Sequence, residues 1–175
     1  MSDMFYFCEN LKSINLSSIN TQNITDMSYM FCGCYSLEKI NVSSFNTKNV
    51  INMSRMFMHC RNLTEIDLSN FDTKKVRNMI SMFKYCKRLE KINLSSFNTD
   101  NVYNMTNMFL YCHCLKDLDL TSFNFRKEAL EHMNFIFYGG YLNIKIKEEF
   151  KELFRRKIND MNSISFFKGV FINDN

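Results

Sequence analysis

Proline is absent from this 175-residue chain, and glycine occurs only four times. A loop-rich scaffold needs those residues to set its turns, so such a scaffold is disfavoured. No apolar run approaches the roughly 18 residues of a membrane-spanning helix. The opening Met1-Ser2-Asp3-Met4-Phe5-Tyr6-Phe7 has neither the basic nor the apolar segment of a secretory signal. Positive charge is in small excess, 22 Lys+Arg against 18 Asp+Glu. That balance alone does not imply nucleic acid, which needs a concentrated basic face. What is present is a hydrophobic content of 46% with 15% aromatics, which argues against disorder. The length suits one domain, or two small ones, around a continuous core.

The cysteines reveal the organisation. Cys8, Cys34, Cys60, Cys86 and Cys112 follow one another at intervals of 26 residues. The same step carries Leu11, Leu37, Leu63, Leu89 and Leu115, then Ile14, Ile40, Ile66, Ile92 and Leu118. It also carries Phe45, Phe71, Phe97 and Phe123, with Met27, Met53, Met79 and Met105, and Phe31, Phe57, Phe83 and Phe109. A fixed period in this range is the signature of a stacked-repeat architecture.

One unit reads L-x-x-I-x-[LV]-S-S-F-[ND]-T-x-x-V-x-x-M-x-x-M-F-x-x-C. Its start, Leu37 to Val42, ends in two-residue alternation, which predicts a strand with Ile40 and Val42 inward. Ser44-Phe45-Asn46-Thr47 predicts a corner turned by side chains that bond nearby amides. The second half, Val50 to Cys60, changes to three- and four-residue spacing, which predicts a short helical or 3₁₀ segment. The expected fold is therefore an α/β repeat: a leucine-rich-repeat-like solenoid over residues 1–140, about five to six coils, the first incomplete. One parallel β-sheet would rise by ~4.8 Å per coil, with short helical turns opposite.

The register breaks towards the C-terminal end. Met133, Ile136 and Phe137 align with Met105, Met108 and Phe109 only after a two-residue insertion in Phe125–Leu130, and Gly139-Gly140 replaces Tyr-Cys. Tyr141 to Ile146 reads as a last strand. Beyond it Phe150, Leu153, Phe154 and Ile158 form one helical stripe, with Glu148, Glu149 and Glu152 first and Arg155, Arg156 and Lys157 last, as a helix dipole favours. Residues 141–175 are expected to form a C-terminal cap with an amphipathic helix.

The unit, in its cleanest copy Leu89 to Cys112, resembles the BspA-like leucine-rich-repeat surface proteins, including the related repeat domain of unknown function in mycoplasma surface lipoproteins. The resemblance covers about residues 1–140. It implies surface display and adhesion or host-protein binding without catalysis. By that resemblance the expected location is the cell surface or outside the cell; the lack of a signal in this chain leaves the cytoplasm as the alternative.

Chemistry-bearing groups have repeat-level explanations. The five registered cysteines are expected to be a reduced, buried packing ladder, since neighbours ~4.8 Å apart with parallel side chains fit a relaxed disulfide poorly. Cys32 and Cys114 are off register, and Cys114 is the expected exposed thiol. Cys112-His113-Cys114 and Cys32-Gly33-Cys34 lie three coils apart, about 14 Å at that spacing, too far to share a metal ion. Ser17, Ser43, Ser69 and Ser95 recur once per coil, unlike a unique nucleophile, and no phosphate-cradling Gly loop exists. No catalytic, cofactor or metal residue is assigned. The columns Asn20/Asn46/Asp72/Asn98/Asn124, Asn23/Asn49/Asn101 and Asn52/Asn78/Asn104 are expected to hydrogen-bond along the stack and satisfy corner amides.

Specificity should reside where columns vary. Gly33/His59/Tyr85/Tyr111, Tyr35/Arg61/Lys87/His113, Cys32/Met58/Lys84/Leu110 and Thr25/Ile51/Arg77/Tyr103 are such columns. Arg61, Arg77, Lys84, Tyr85, Lys87, Arg88, Tyr111 and His113 are the candidate partner-binding residues, because Tyr, Arg and His on one ridge suit protein contacts. The expected function is a non-enzymatic interaction or adhesion module for another protein. A purely structural piece of a longer array is the alternative, and nucleic-acid binding through Arg61, Lys84, Lys87 and Arg88 a third. The first coil, with Leu11, Ile14, Leu16 and Ile19 uncovered, is further expected to self-associate end to end or to fray.

Overall fold

The structure is a computed structural model that describes residues 1–126, 137–138, 142–162 and 170–172. The expectations for Met133, Ile136, Gly139-Gly140 and Tyr141, most of the insertion, and the side chains of Lys157 and Ile158 lie outside the described residues.

Corners come first, because they replace the missing proline. In one coil Asn41, Asn46 and Asn52 each accept, through Oδ1, the N–H two residues on, at 3.0, 3.3 and 3.1 Å. Asp67, Asp72 and Asn78 repeat this in the next coil at 2.9, 3.1 and 3.0 Å. These are Asx turns, which bend the chain without glycine. The Asn52 column also bridges in parallel from Asp26 to Asn52, Asn78 and Asn104. Side-chain bonds along the stack occur at Asn49 Nδ2 to the Gln22 carbonyl (2.9 Å) and Asn101 Nδ2 to the Lys74 carbonyl (2.7 Å).

The segment after each Asx corner is not helical, contrary to the spacing. Met56, Met58 and Cys60 donate N–H groups to the carbonyls of Met53, Arg55 and Phe57, closing local turns. The alternate N–H groups of Met53, Arg55, Phe57 and His59 donate instead to Asn78, Ile80, Met82 and Lys84 of the next coil, at 2.8–3.0 Å. A helix would keep all these donors within one segment. Sharing them between coils needs positive φ at two positions per coil, 57° at Arg55 and 64° at His59, with the same sign at Tyr29, Gly33, Ser81, Tyr85, Asn107 and Tyr111. Positive φ at the third residue is what a type II turn demands. The three- and four-residue spacing thus records successive turns.

On the opposite side the bonds run backwards: the N–H groups of Glu38, Thr64 and Glu90 donate to the carbonyls of Lys12, Glu38 and Thr64. Regular elements are short. Among the described residues they are β1 (Glu65–Asp67), β2 (Lys91–Asn93), β3 (Phe109–Leu110), β4 (Asp117–Asp119), β5 (Phe137–Tyr138), β6 (Leu142–Lys145), the longer α1 (Glu148–Asn162) and β7 (Val170–Ile172). All pairings are parallel: β1 with β2, β3 with β5, and β4-β6-β7. Ile66 faces Ile92, and Phe109 faces Phe137, so the 26-residue register holds within the repeats and the proposed realignment of Phe137 holds after them. The expected single sheet is instead a set of separate short pairings, because alternation lasts three residues before the next Asx corner. Ile66 and Leu118 are buried, whereas Ile40 and Ile92 are half-buried.

The core is columnar. Phe31, Phe57, Phe83 and Phe109 stack face to face, ring centres 5.5–5.6 Å apart and planes within 6°. Phe45 with Phe71 and Phe97 with Phe123 form a second column. Methionines 27, 30, 53, 56, 79, 82, 105 and 108 fill the space between. The buried polar column is threonine: Thr21, Thr47, Thr73 and Thr99 donate to the carbonyls of Asn46, Asp72, Asn98 and Asn124 in the next coil. At the far end Phe125 packs edge-on against Phe150 and Phe154 of α1. That helix starts with Glu148 and Glu149, but it continues to Asn162, so the arginines expected at its end lie mid-helix and its last turn holds no base.

Candidate binding surface

The turn side presents ring edges. Positions 33, 59, 85 and 111, one period apart, all have positive φ, and His59, Tyr85 and Tyr111 are half-buried along one line. Gly33 interrupts that line, since a Cβ there would lie 2.9 Å from the Phe7 ring that covers it. From His59 onward the line is unbroken. His59 stacks on Tyr85 at 4.4 Å and Tyr85 on Tyr111 at 4.5 Å, planes within 10°. His113 tilts against Tyr111 at 5.7 Å. Tyr35 meets His59 edge-on at 6.2 Å.

Cations flank this line. The Arg61 guanidinium lies over the Tyr35 ring at 4.5 Å, Arg55 over Tyr29 at 5.2 Å, and the Lys84 ammonium over Tyr85 at 5.3 Å. Such contacts fix the direction of side chains that would otherwise sweep freely. Lys87 and Arg88 are exposed, and the Arg88 N–H donates to the Arg61 carbonyl, which sets these bases on adjoining coils. The His59 pKa is lowered from its ordinary value by burial first, then by the charges of Arg61, Lys84 and Lys87. Its Nδ1 is buried without a hydrogen-bond partner.

Of the eight candidates, the structure brings together Arg61, Lys84, Tyr85, Lys87, Arg88, Tyr111 and His113. Arg77 stands elsewhere, on a stripe with the exposed Ile51 and Tyr103, linked by backbone bonds from Arg77 to Ile51 and from Tyr103 to Arg77. Arg55 and Tyr29 belong to the ridge although sequence reasoning did not select them, and so does Tyr35, which it named in a variable column but not among the eight. The signal was there: Tyr29 and Arg55 share one column, as do Tyr35 and Arg61, so a cation stands one coil beyond a ring in both.

The thiols need a correction. Cys34, Cys60, Cys86 and Cys112 are buried, and each Sγ donates at 3.1–3.2 Å to the carbonyl of a Phe in the preceding coil. Burial raises their pKa values, that of Cys34 to about 12. Cys8, assigned to the same ladder, is exposed. It is also more exposed than Cys114, which is half-buried. Cys32, off register, is buried, and desolvation raises its pKa to about 11.

Among the described residues no three His, Cys, Asp or Glu side chains are grouped to hold a metal ion, and no helix is long and apolar enough to cross a membrane. The family model described as "Mycoplasma protein of unknown function, DUF285" matches residues 1–123 and 65–166. No curated protein and no solved structure matches the chain.

Proposed function

The chain belongs to the DUF285 family of mycoplasma proteins of unknown function, and from that premise we propose that it is a non-enzymatic binding module whose partner is another protein. In this reading the stacked 26-residue units form a leucine-rich-repeat-like solenoid of the BspA-like kind, displayed at the cell surface and used for adhesion. The observation that carries it is the ridge of stacked, half-buried rings from His59 to Tyr111 with guanidinium groups held beside it. Rigid aromatic side chains and arginine are the groups that dominate protein-contact energetics. Rings already stacked also lose little freedom on docking.

The test is retention of cultured animal cells on beads carrying the full chain. Retention should fall when cell-surface proteins are stripped by protease, and when Tyr85→Ala and Tyr111→Ala are combined in a chain that still folds. Equal retention of stripped and intact cells would overturn the reading.

A further inference from the structure

The composition of the ridge says what kind of partner segment it fits. Residues 73–89, which give the ridge Lys84, Lys87 and Arg88, contain no acid, and neither do residues 39–64, which give it Arg55 and Arg61. The ion pairs found among the described residues, Lys39–Glu65, Lys151–Glu148 and Arg156–Glu152, all lie away from the ridge. Among the described residues none of Arg55, Arg61, Lys84, Lys87 and Arg88 is ion-paired to a carboxylate; Arg61, Lys87 and Arg88 are exposed, and Arg55 and Lys84 half-buried. Two of the guanidinium groups are held over tyrosine rings, at 4.5 and 5.2 Å, so their positions are set before any ligand arrives.

The rings narrow the choice further. The stack of His59, Tyr85 and Tyr111 covers ring faces with ring faces. Nucleobases are recognised by stacking on free aromatic faces, and the inner faces of this stack are occupied. What the stack leaves uncovered are ring edges, the electropositive side of an aromatic ring. Half-buried Met58 adds apolar surface between the bases. Backbone N–H groups along the ridge, such as those of Met58, His59, Arg61, Lys84, Tyr85 and Arg88, are already spent on local turns or on neighbouring coils, so an added β-strand is not the binding mode.

Resting on the interaction reading above, we infer that the ridge from Tyr35 to His113 docks an acidic peptide segment of a protein partner, its carboxylates on Arg61, Lys84, Lys87 and Arg88 and its intervening side chains against ring edges and Met58. An acidic peptide supplies both negative charge and apolar groups in alternation. A sulfated glycan or a single-stranded nucleic acid supplies the charge but leaves the apolar edges unmatched or asks for free ring faces.

The experiment titrates the full chain into a fluorescein-labelled glutamate-rich peptide with interspersed leucines, a heparin oligosaccharide and oligo-dT, compared at equal charge. The peptide should bind tightest, with affinity falling several-fold as salt rises from about 50 to about 300 mM. Arg61→Glu with Lys87→Glu, both exposed positions, should weaken it at least tenfold, whereas Lys48→Glu with Lys74→Glu on the corners changes net charge equally and should leave it within twofold. Arg61→Gln with Lys87→Gln, expected to cost about threefold, gives the same reading if reversal disturbs folding. Tighter binding of heparin or oligo-dT, or peptide binding insensitive to the Arg61 and Lys87 changes, overturns the inference. If cell retention survives those substitutions while peptide binding is lost or absent, the ridge assignment fails and the wider interaction reading stands.

Discussion

Thr73→Val isolates the buried polar column from its packing. Thr73 is 1% exposed, and valine has nearly its shape. Its Oγ1 donates to the Asn98 carbonyl at 2.8 Å and accepts the Asn98 N–H at 2.8 Å, so one hydroxyl ties two coils twice. Each such bond contributes about 0.5–1.5 kcal/mol net, and a buried amide left without a partner costs about 1–3 kcal/mol. Valine removes both bonds and leaves Asn98 facing a methyl group, for an expected loss of about 2–4 kcal/mol. Thr73→Ser keeps the hydroxyl and loses one methyl, about 0.8 kcal/mol. Thr25→Val, on an exposed threonine, should stay within about 0.5 kcal/mol. Urea unfolding followed by circular dichroism measures all three, and the midpoint should fall while the slope stays constant. If Thr73→Val proves no worse than Thr73→Ser, the hydroxyl does not join the coils and the column is mere packing.

Other expectations follow from the same geometry. Phe83→Ala, removing a ring fully buried between Phe57 and Phe109, should cost about 3–5 kcal/mol in the same unfolding assay, and Phe5→Ala, at a half-buried ring, clearly less; equal losses would refute the column. Thiol labelling of the native chain should reach Cys8 first and Cys114 next, with Cys60, Cys86 and Cys112 reacting only after denaturation, because exposure and thiolate fraction govern the rate; mass spectrometry of timed samples decides. His59 has a folded pKa below its unfolded value near 6.5, so its contribution is intact above that value and is lost as pH falls through it, the unfolded chain binding the proton first. The drop in melting temperature between about pH 7 and about pH 5 should therefore be smaller in His59→Phe, and an identical drop would show that His59 titrates as it does unfolded.

The period was legible because each coil meets a near-identical neighbour, so one set of inward residues had to recur at Cys34, Phe57 and Met79 alike. Burial of the Phe, Met and Leu columns followed from that alone. The local path did not. Spacing at Val50 to Cys60 suits a helix, and nothing local in Arg55 or His59 announces positive φ; those values arise because alternate amides find carbonyls in the next coil. The same competition shortened the strands, where Asn41 and Asp67 capture the chain into an Asx turn after a few residues.

The ridge shows the same division. Sequence alone determined which columns vary, and so named Arg61, Lys84, Tyr85, Lys87 and Tyr111 as a set, since residues one period apart must be neighbours in any stacked repeat. It could not separate Arg77 from them, because the angle between two columns around a coil depends on where the turns fall. Only the tertiary structure decided that Cys8 is open while Cys34 is closed, as a thiol's burial depends on the coil beside it rather than on its own repeat. It alone placed Arg61 over Tyr35 and Arg55 over Tyr29, because a cation and a ring 26 residues apart touch only where the turns of both units aim their side chains alike, as the matching φ of 57° at Tyr29 and Arg55 does for the second pair.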